Sequence, residues 1–346
     1  MSDHQYAQFI LWEANSPNIN VCPFYDLIPK FVIGKTTDSR NDLPIQNFIN
    51  HKFSFENKNF DVILQPCHII YKKTHIKLKY LGFREQIIED TIRRISSENN
   101  RLCLVGDNVR CYFLVNELRD ELSRINHTYS LGEIMDAISI LNGAIIRVFD
   151  ASTGDTVMSS PVFPVVNIRG KNGYDKYSYV EFNSTLSQAI KKMDFLCLDY
   201  DFLMRIRNPV SRWLLKKLWV DIYSTKKPIY QISIETLHNE SGINQWKNEQ
   251  KTYARVNDAV LALKSMGIID YFESNNVLWR REKSPIVLSM SVTPDFMTKI
   301  HSGHQTIKAS HHLQNFIKQA RDVGDFVKIP HEYIFRYRAE KNSTPG

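Results

Sequence analysis

A row of cations at helical spacing is the strongest chemical signal in the sequence. Lys247, Lys251 and Arg255 recur at every fourth position of a predicted helix over residues 247–266, so they form one ridge opposite its apolar side. Amide and hydroxyl side chains stand among them, namely Gln245, Asn248, Gln250, Thr252 and Asn257. Cations neutralise DNA phosphates, whereas amides and hydroxyls hydrogen-bond base edges in the major groove. The pattern predicts a helix that reads double-stranded DNA.

Further basic residues stand where such a module would touch the flanking DNA backbone. Arg280, Arg281 and Lys283 follow a predicted strand and turn, at the place of a wing. The other candidates are Lys216, Lys217, Lys226 and Lys227, at the end of the preceding helix and just after it, and Arg169 and Lys171 in a glycine-containing loop. A solvated helix face or an ordinary exposed turn would explain any one of them equally well. Arg255 could instead pair with Asp258.

The charge of the chain is divided unevenly along its length. Residues 202–346 hold 22 Lys+Arg and 13 Asp+Glu, whereas residues 1–201 hold 22 and 24, so the net charge of +7 comes from the C-terminal part. A basic surface carried by one domain is the electrostatic footprint of a phosphate-backbone binder. The excess therefore supports the DNA-reading interpretation of the predicted helix.

Motifs for catalysis or metal binding are incomplete. Gly34-Lys35-Thr36 ends like a phosphate-binding loop, but Pro29 stands where its first glycine belongs. His311-His312 fits an amphipathic helix better than a metal site. No His-hydrophobe-His triplet of a rolling-circle nicking enzyme and no acidic cluster of a two-metal nuclease occurs. We predict a protein that is not an enzyme and needs no cofactor or metal.

Composition indicates a globular protein of the reducing cytoplasm. The 346 residues are 43% hydrophobic, no run approaches 18 apolar residues, and the first residues lack a signal-peptide pattern. No membrane contact is expected. The cysteines are odd in number and scattered, which predicts reduced thiols: Cys22, Cys67, Cys103, Cys111 and Cys197.

Residues 83–182 have the element order of a winged helix-turn-helix domain. Helices are predicted over 83–98, from 114 to 125 and from 130 to 143, followed by a β-hairpin from residue 144 and a strand over 177–182. The first helix turns Ile87 and Ile88 inward and Glu89, Arg93 and Arg94 outward. A capping box of Ser130 and Glu133 opens the third helix. That helix carries Glu133 and Asp136 and no cation, so dimerisation or phosphate contact by the wing is the expected role of this unit.

A second unit repeats the scheme. Asn208-Pro209 begins its first helix, residues 233–240 form a short one, and the cationic helix over 247–266 follows. Strands are predicted over 268–272 and from 277, with helices near 294–301 and 304–323. The expected fold is therefore α+β, mainly helical, with two tandem winged helix-turn-helix domains. The domain limits are 1–82 (a small strand-and-loop region), 83–200, 201–323 and 324–346 (a polar tail).

Five segments of the chain resemble plasmid replication initiators of the RepA type. The similar segments are GFREQIIEDTIRRI (82–95), FLVNELRDEL (113–122), YSLGEIMDAISIL (129–141), NPVSRWLLKKL (208–218) and RVNDAVLALKSMGII (255–269). Together the match covers roughly residues 60 to 290. These are structural helices rather than a catalytic signature, and their order and spacing carry the resemblance.

The resemblance implies an initiator of theta-type plasmid replication in a bacterial cytoplasm, with a role in copy control. It implies binding to repeated origin sites (iterons), opening of adjacent AT-rich DNA, and recruitment of the host initiator and the helicase or its loader. It also implies self-association, with a switch between a dimer and a monomer that binds the origin. By position, Lys247, Lys251 and Arg255 map to the DNA-reading helix, and Arg280 and Arg281 to the wing. A winged-helix transcription regulator acting as an autorepressor is the alternative, and an interaction scaffold is a third.

Overall fold

The computed structural model describes residues 8–9, 18–33, 48–71, 75–97, 101–169, 177–192, 194–243, 249–274 and 286–302. The helices are α1 (Pro23–Leu27), α2 (Phe83–Ser96), α3 (Val115–Arg124), α4 (Leu131–Gly143), α5 (Ser184–Lys191), α6 (Tyr200–Arg205), α7 (Pro209–Thr225), α8 (Ile234–Glu240) and α9 (Glu249–Ser265), with α10 starting at residue 294 and described to residue 302. Within the described ranges, no helix has the length and apolar character needed to span a membrane.

Strands stand between these helices throughout the described ranges. They are β1 (Gln8–Phe9), β2 (Asn18–Val21), β3 (Ile49–Phe55), β4 (Lys58–Gln65), β5 (Cys67–Tyr71), β6 (His75–Lys79), β7 (Leu102–Val105), β8 (Asn108–Phe113), β9 (Ile145–Asp150), β10 (Thr156–Ser160), β11 (Val165–Asn167), β12 (Ser178–Glu181), β13 (Leu196–Asp199), β14 (Ile229–Ser233), β15 (Ile269–Ser274) and β16 (Val287–Val292). Of the residues that the structure describes, 44% are in helices and 32% in strands, so the fold is mixed α/β. The prediction of a mainly helical chain was therefore wrong, because short β-prone runs pair into complete sheets.

Among the N-terminal strands, β1 to β4 share sheets with strands of the first unit, whereas β5 and β6 pair with each other. β4 lies between β3 and β9 in a four-stranded antiparallel sheet of order β10-β9-β4-β3, and β2 pairs with β13. Val62 of β4 is opposite Val148 of β9, and both side chains are completely buried. This four-stranded sheet crosses the predicted domain limit at residue 82, because β3 and β4 precede that residue whereas β9 and β10 follow it.

α2, α3 and α4 lie where the hydrophobic spacing predicts helices, whereas α5 and α6 have no predicted counterpart. At the start of α4, the Ser130 hydroxyl accepts the Glu133 backbone N–H, and the Glu133 carboxylate accepts the Ser130 N–H. α2 packs against α3, α4, β2 and β8, which leaves little of it in contact with solvent. Glu89 and Arg93 are therefore buried, contrary to the predicted outward face. Helical periodicity locates the apolar face, but only the surrounding elements decide whether the opposite face is also covered.

The second unit follows the order α7, β14, α8, α9, β15, β16. Its three strands form an antiparallel sheet with β16 in the centre, between β14 and β15. The Asn208 side chain accepts the N–H groups of Val210 and Ser211, and Pro209 occupies the first turn of α7. After α8, Gly242 has φ +78°, and an added Cβ would stand 2.1 Å from the Phe31 carbonyl oxygen. Only glycine fits this turn, which brings the end of α8 against the loop after α1.

Several predicted segments lie outside the described residues. These are the wing over residues 275–285, the helix near 304–323 and the polar tail. The helix predicted near 294–301 is confirmed as α10, which follows β16 directly and buries Phe296 against Trp219 of α7. The second unit is thus described from α7 to α10, except for the α8–α9 and β15–β16 connections.

Candidate nucleic-acid interface

α9 has one face buried in the second unit and one face exposed. Val256, Val260 and Leu263 point into the core, with at most 1% of each side chain exposed. Arg255 is exposed, and Lys251 stands one turn before it on the same helix. Lys251 and Thr252 therefore lie on α9 as predicted, whereas Lys247 and Asn248 lie outside the described residues. The structure gives α9 the amphipathic division on which the predicted DNA-reading role depends.

The exposed face of α9 is chemically mixed. Asp258 follows Arg255 by three residues and is also exposed, so a carboxylate stands close to the arginine. Leu261, another turn along, is 45% exposed. The exposed face of α9 therefore carries cations at Arg255 and Lys264, a carboxylate at Asp258 and an apolar side chain at Leu261.

Two lysines at the end of α7 are exposed. Lys226 closes the helix in the left-handed conformation, with φ +57°, and its backbone N–H donates to the Ile222 carbonyl. Lys227 follows it, and both side chains lie in solvent. In the first unit, Arg169 is exposed just beyond β11, while Lys171 lies outside the described residues, as do Arg280, Arg281 and Lys283. The structure thus gives accessible side chains to Lys226, Lys227, Arg169 and Arg255.

Lys216 and Lys217 are not available to DNA, which corrects their assignment. Lys216 is 3% exposed, and its Nζ lies 2.9 Å from both Asp26 Oδ1 and Asp90 Oδ1. Lys217 is 9% exposed and lies 3.4 Å from Asp221 and 3.5 Å from Glu240. α7 is covered by α1 on one side and α9 on another, so cations in its middle face neighbouring elements. Both ammonium groups therefore pair with carboxylates inside the protein.

A buried charge cluster joins α1, α2 and α7. The Arg93 guanidinium donates to both oxygens of Asp26, at 2.8 Å and 2.7 Å. Arg212 donates to Asp90 Oδ2 at 2.6 Å. Lys216 bridges the two aspartates. Because these aspartates belong to the first unit's framework and Arg212 and Lys216 to the second, the cluster fixes the two units to each other.

The cluster extends to Glu89 and Lys30. Glu89 Oε1 lies 3.5 Å from Arg93 and 3.6 Å from Lys30, and all three side chains are buried. The Lys30 ammonium also lies 3.3 Å from the centre of the Tyr25 ring and donates to the Tyr25 carbonyl. Arg212 donates in addition to the carbonyls of Leu203 and Ile206. These contacts satisfy most of the buried polar atoms, as charges removed from water require.

The electrostatics of the cluster favour the ionised forms. Burial by itself would raise the pKa of Asp26, but Arg93 and Lys216 outweigh it and hold that pKa far below its ordinary range. The pKa of Asp90 is lowered in the same way, by Lys216 and Arg212 against burial. Burial opposes the charge of Lys216, yet Asp26 and Asp90 raise its pKa. Both aspartates therefore stay charged at neutral pH.

A second contact between the units is built from α8 and β3. Glu240 Oε1 accepts the Ser54 backbone N–H at 2.9 Å, while Lys217 holds the other oxygen. His51, on β3, is 8% exposed and its Nε2 has no partner among the described residues. Burial, with a smaller contribution from His238 of α8, lowers the pKa of His51 to about 4. His51 is therefore neutral at physiological pH.

Sequence reasoning missed this charge cluster. One signal was present, because the predicted helix is apolar on most sides, with Leu215 and Trp219 on the same side as Arg212. The partner of Arg212, Asp90, is 122 residues away in the sequence, and no local pattern connects them. In the first unit, Glu133 and Asp136 of α4 are exposed as predicted. No group of residues suited to a metal occurs among the described side chains.

No protein-family model matches the chain, and no curated protein sequence matches it. Among solved structures, it is similar to domains 2 and 3 of RctB, at 6% identity and a TM-score of 0.46, over 76% of this chain and 95% of that one. A second structure of RctB domains 2–3 gives 7% identity and a TM-score of 0.42, over 81% and 99%. The Pi initiator protein in complex with iteron DNA gives 12% identity and a TM-score of 0.41, over 61% and 94%.

Proposed function

We propose that this protein binds double-stranded DNA through α9 and initiates replication at repeated sites in an origin. The second unit would be a winged helix-turn-helix module, in which α8 and α9 form the helix-turn-helix and the β15–β16 connection forms the wing. The order α7, β14, α8, α9, β15, β16 with β16 central supports this assignment.

The exposed side of α9 around Arg255 is the observation that carries the proposal. α9 buries Val256 and Val260 and exposes Arg255, so the helix is anchored on one side and accessible on the other. Arg255 and Lys251 would contact bases or phosphates, with Thr252, Lys247 and Asn248 beside them. Arg280, Arg281 and Lys283 would contact phosphates from the wing, and Lys226 and Lys227 from the end of α7.

The first unit would have a supporting role. Its third helix, α4, exposes Glu133 and Asp136, and carboxylates repel DNA phosphates. We assign to this unit self-association and auxiliary phosphate contact through Arg169 and Lys171. The proposal also includes binding of host initiator and helicase-loading proteins, and a switch between a dimer and a monomer that binds the origin. These two parts rest on the sequence resemblance.

Fluorescence anisotropy tests the proposal most directly. The full chain is titrated against short duplexes that scan the DNA flanking its own gene, at two salt concentrations. Tight, salt-dependent binding confined to a set of direct repeats beside an AT-rich tract is the expected result. Binding to one inverted repeat over a promoter would instead identify a transcription regulator. Equal binding to every duplex, lost at higher salt, would contradict sequence-specific recognition.

Two variants locate the binding face. Lys251→Glu combined with Arg255→Glu should abolish specific binding, because two cations become two carboxylates facing the phosphates. Asp136→Lys on α4 is the matched control, since it reverses charge at an exposed site of the first unit and should leave specific binding intact. Unchanged affinity of the α9 double variant would show that another surface reads the DNA.

A further inference from the structure

A small cavity lies at the contact between the two units, where the loop after α1, α7 and the end of α8 meet. Its volume is about 20 Å³, above the ~10–15 Å³ that one water-sized species needs. Lys30, Trp213, Lys216 and Ser241 are among the residues that line it, and each is at most 5% exposed. The lining thus includes four side chains that donate hydrogen bonds, alongside apolar residues such as Ile28 and Phe31.

Two of these donors have no acceptor among the described residues. They are the indole Nε1–H of Trp213 and the hydroxyl of Ser241, both buried. An indole N–H can only donate, and a buried donor left without an acceptor costs about 1–3 kcal/mol. Lys216 adds a third donor, because its contacts to Asp26 and Asp90 use two of the three ammonium protons.

The nearest carboxylate cannot accept these hydrogen bonds. Asp26 also lines the cavity, but its Oδ1 already accepts from Arg93 and Lys216. Its Oδ2 accepts from Arg93 and from the Cys22 backbone N–H. A carboxylate offers about four acceptor positions, so that of Asp26 is fully used. Among the described residues, no group accepts a hydrogen bond from Trp213 Nε1 or Ser241 Oγ, so a species bound in the cavity can supply the acceptor.

The buried charges around the cavity have a positive excess, which also favours an occupant that accepts hydrogen bonds. The buried cluster contains four cations, Lys30, Arg93, Arg212 and Lys216, and three carboxylates, Asp26, Glu89 and Asp90. With Lys30 protonated, one positive charge remains uncompensated within this cluster, and burial opposes that charge by lowering the pKa of Lys30. A buried charge without a partner is costly, so a negative ion in the cavity would be favoured over a neutral occupant.

We propose that the cavity binds a halide ion, chloride in physiological salt. The ion accepts hydrogen bonds from Trp213 and Ser241 and balances the charge of Lys30 and Lys216. Because these residues come from the loop after α1, from α7 and from α8, the bound ion stabilises the contact between the two units. A water molecule would accept the same hydrogen bonds but leave the charge uncompensated, and it is the competing occupant. This site is independent of DNA binding.

Thermal unfolding of the full chain tests the site. The midpoint is measured in sodium chloride and in sodium gluconate at equal sodium concentration, since gluconate is too large for the cavity. A ligand bound only by the folded state adds RT ln(1 + [L]/Kd), so the midpoint should rise with the logarithm of the chloride concentration. The expected rise is about 2–4 °C per tenfold increase above the Kd. Equal midpoints in the two salts would overturn the proposal.

Matched tryptophan variants separate the site from general salt effects. Trp213→Phe removes the N–H but keeps an aromatic ring in place, and Ser241→Ala removes only the hydroxyl. Both should lose at least half of the chloride-dependent rise. Trp219→Phe, on the same helix, changes a buried indole that packs on Phe296 and should keep the full rise. Identical chloride responses of Trp213→Phe and Trp219→Phe would exclude the site.

Bromide identifies the occupant directly. Crystals of the full chain grown in sodium bromide should give an anomalous scattering peak within hydrogen-bonding distance of Trp213 Nε1 and Ser241 Oγ. Density in the cavity without anomalous signal would mean that water occupies it, and the halide assignment would then be wrong.

Discussion

The cations of the second unit occupy two regions with opposite surroundings. Arg212 and Lys216 lie on α7, less than 4% exposed, and each contacts a buried aspartate. Lys226 and Lys227 stand at the end of the same helix and lie in solvent, as does Arg255 of α9. The first region joins the two units, whereas the second is the candidate surface for DNA.

The difference shows that a basic residue acquires its role from what covers it. A buried cation without a carboxylate would carry a large desolvation penalty, so the first region requires Asp26 and Asp90. An exposed cation keeps its hydration and can exchange counterions for a DNA phosphate. Substitutions in the first region should therefore change stability, and substitutions in the second should change DNA affinity.

The largest effect is expected in the buried region. Asp90→Ala removes the carboxylate that contacts Arg212 and Lys216, and breaking a buried pair costs about 3–5 kcal/mol. Chemical denaturation measures the loss. Asp120→Ala is the control, because the exposed pair of Asp120 with Arg119 should contribute less than ~1 kcal/mol. Similar losses in the two variants would mean that the two regions do not differ as described.

An effect on DNA affinity alone is expected on α9. Arg255→Ala should weaken specific binding by about 1–3 kcal/mol if the guanidinium contacts a base edge, with an unchanged free energy of unfolding. Asp258→Asn removes the neighbouring exposed carboxylate and should strengthen binding. Anisotropy titration and denaturation of both variants check this pair. Weakened binding in Asp258→Asn would indicate a direct role for that carboxylate.

The contact between α8 and β3 should give a distinct pH dependence. His51 has a folded-state pKa of about 4, and an unfolded histidine takes a proton near pH 6.5. As pH falls, the unfolded state is protonated first, so stability is lost between about pH 6.5 and 4, by up to ~1.4 kcal/mol per pH unit. His51→Gln should flatten this part of the curve, whereas His68→Gln, at an exposed site, should not. A stability profile unaltered by His51→Gln would contradict the assignment of this pH dependence to His51.

The smallest effect is expected at the end of α7. Lys226→Asn with Lys227→Gln removes two exposed cations, and asparagine tolerates the left-handed conformation of residue 226. The dependence of log affinity on log salt should become shallower by about two units, with little change in stability. Salt titrations of the variant measure this slope. An unchanged slope would remove these lysines from the proposed DNA surface.

Local elements were predictable because their signals are local. Ser130 with Glu133 and Asn208 with Pro209 identified two helix starts, and the structure confirms both caps. Caps and apolar spacing act within one or two turns, so the sequence contains all the information they need. The amphipathic character of α9 was predicted for the same reason, and the structure buries Val256, Val260 and Leu263 on one face.

Pairings between distant segments were not predictable. The β3–β4 hairpin was expected in a separate N-terminal region, but β4 pairs with β9, more than 80 residues later. Lys216 and Lys217 were expected at the DNA surface because their partners Asp26 and Glu240 are also distant in the sequence. Nothing within a few residues of them indicates that α1 and α8 bring Asp26 and Glu240 into contact with them.

The sequence by itself determined where the helices begin, which faces are apolar and where basic residues concentrate, since these depend on residue type and short-range spacing. Only the tertiary structure decided which cations are exposed and which are paired, because burial depends on elements far away in the chain. The separation between a joining region around Lys216 and a candidate DNA surface around Arg255 therefore arises from packing, although both use the same kinds of side chain.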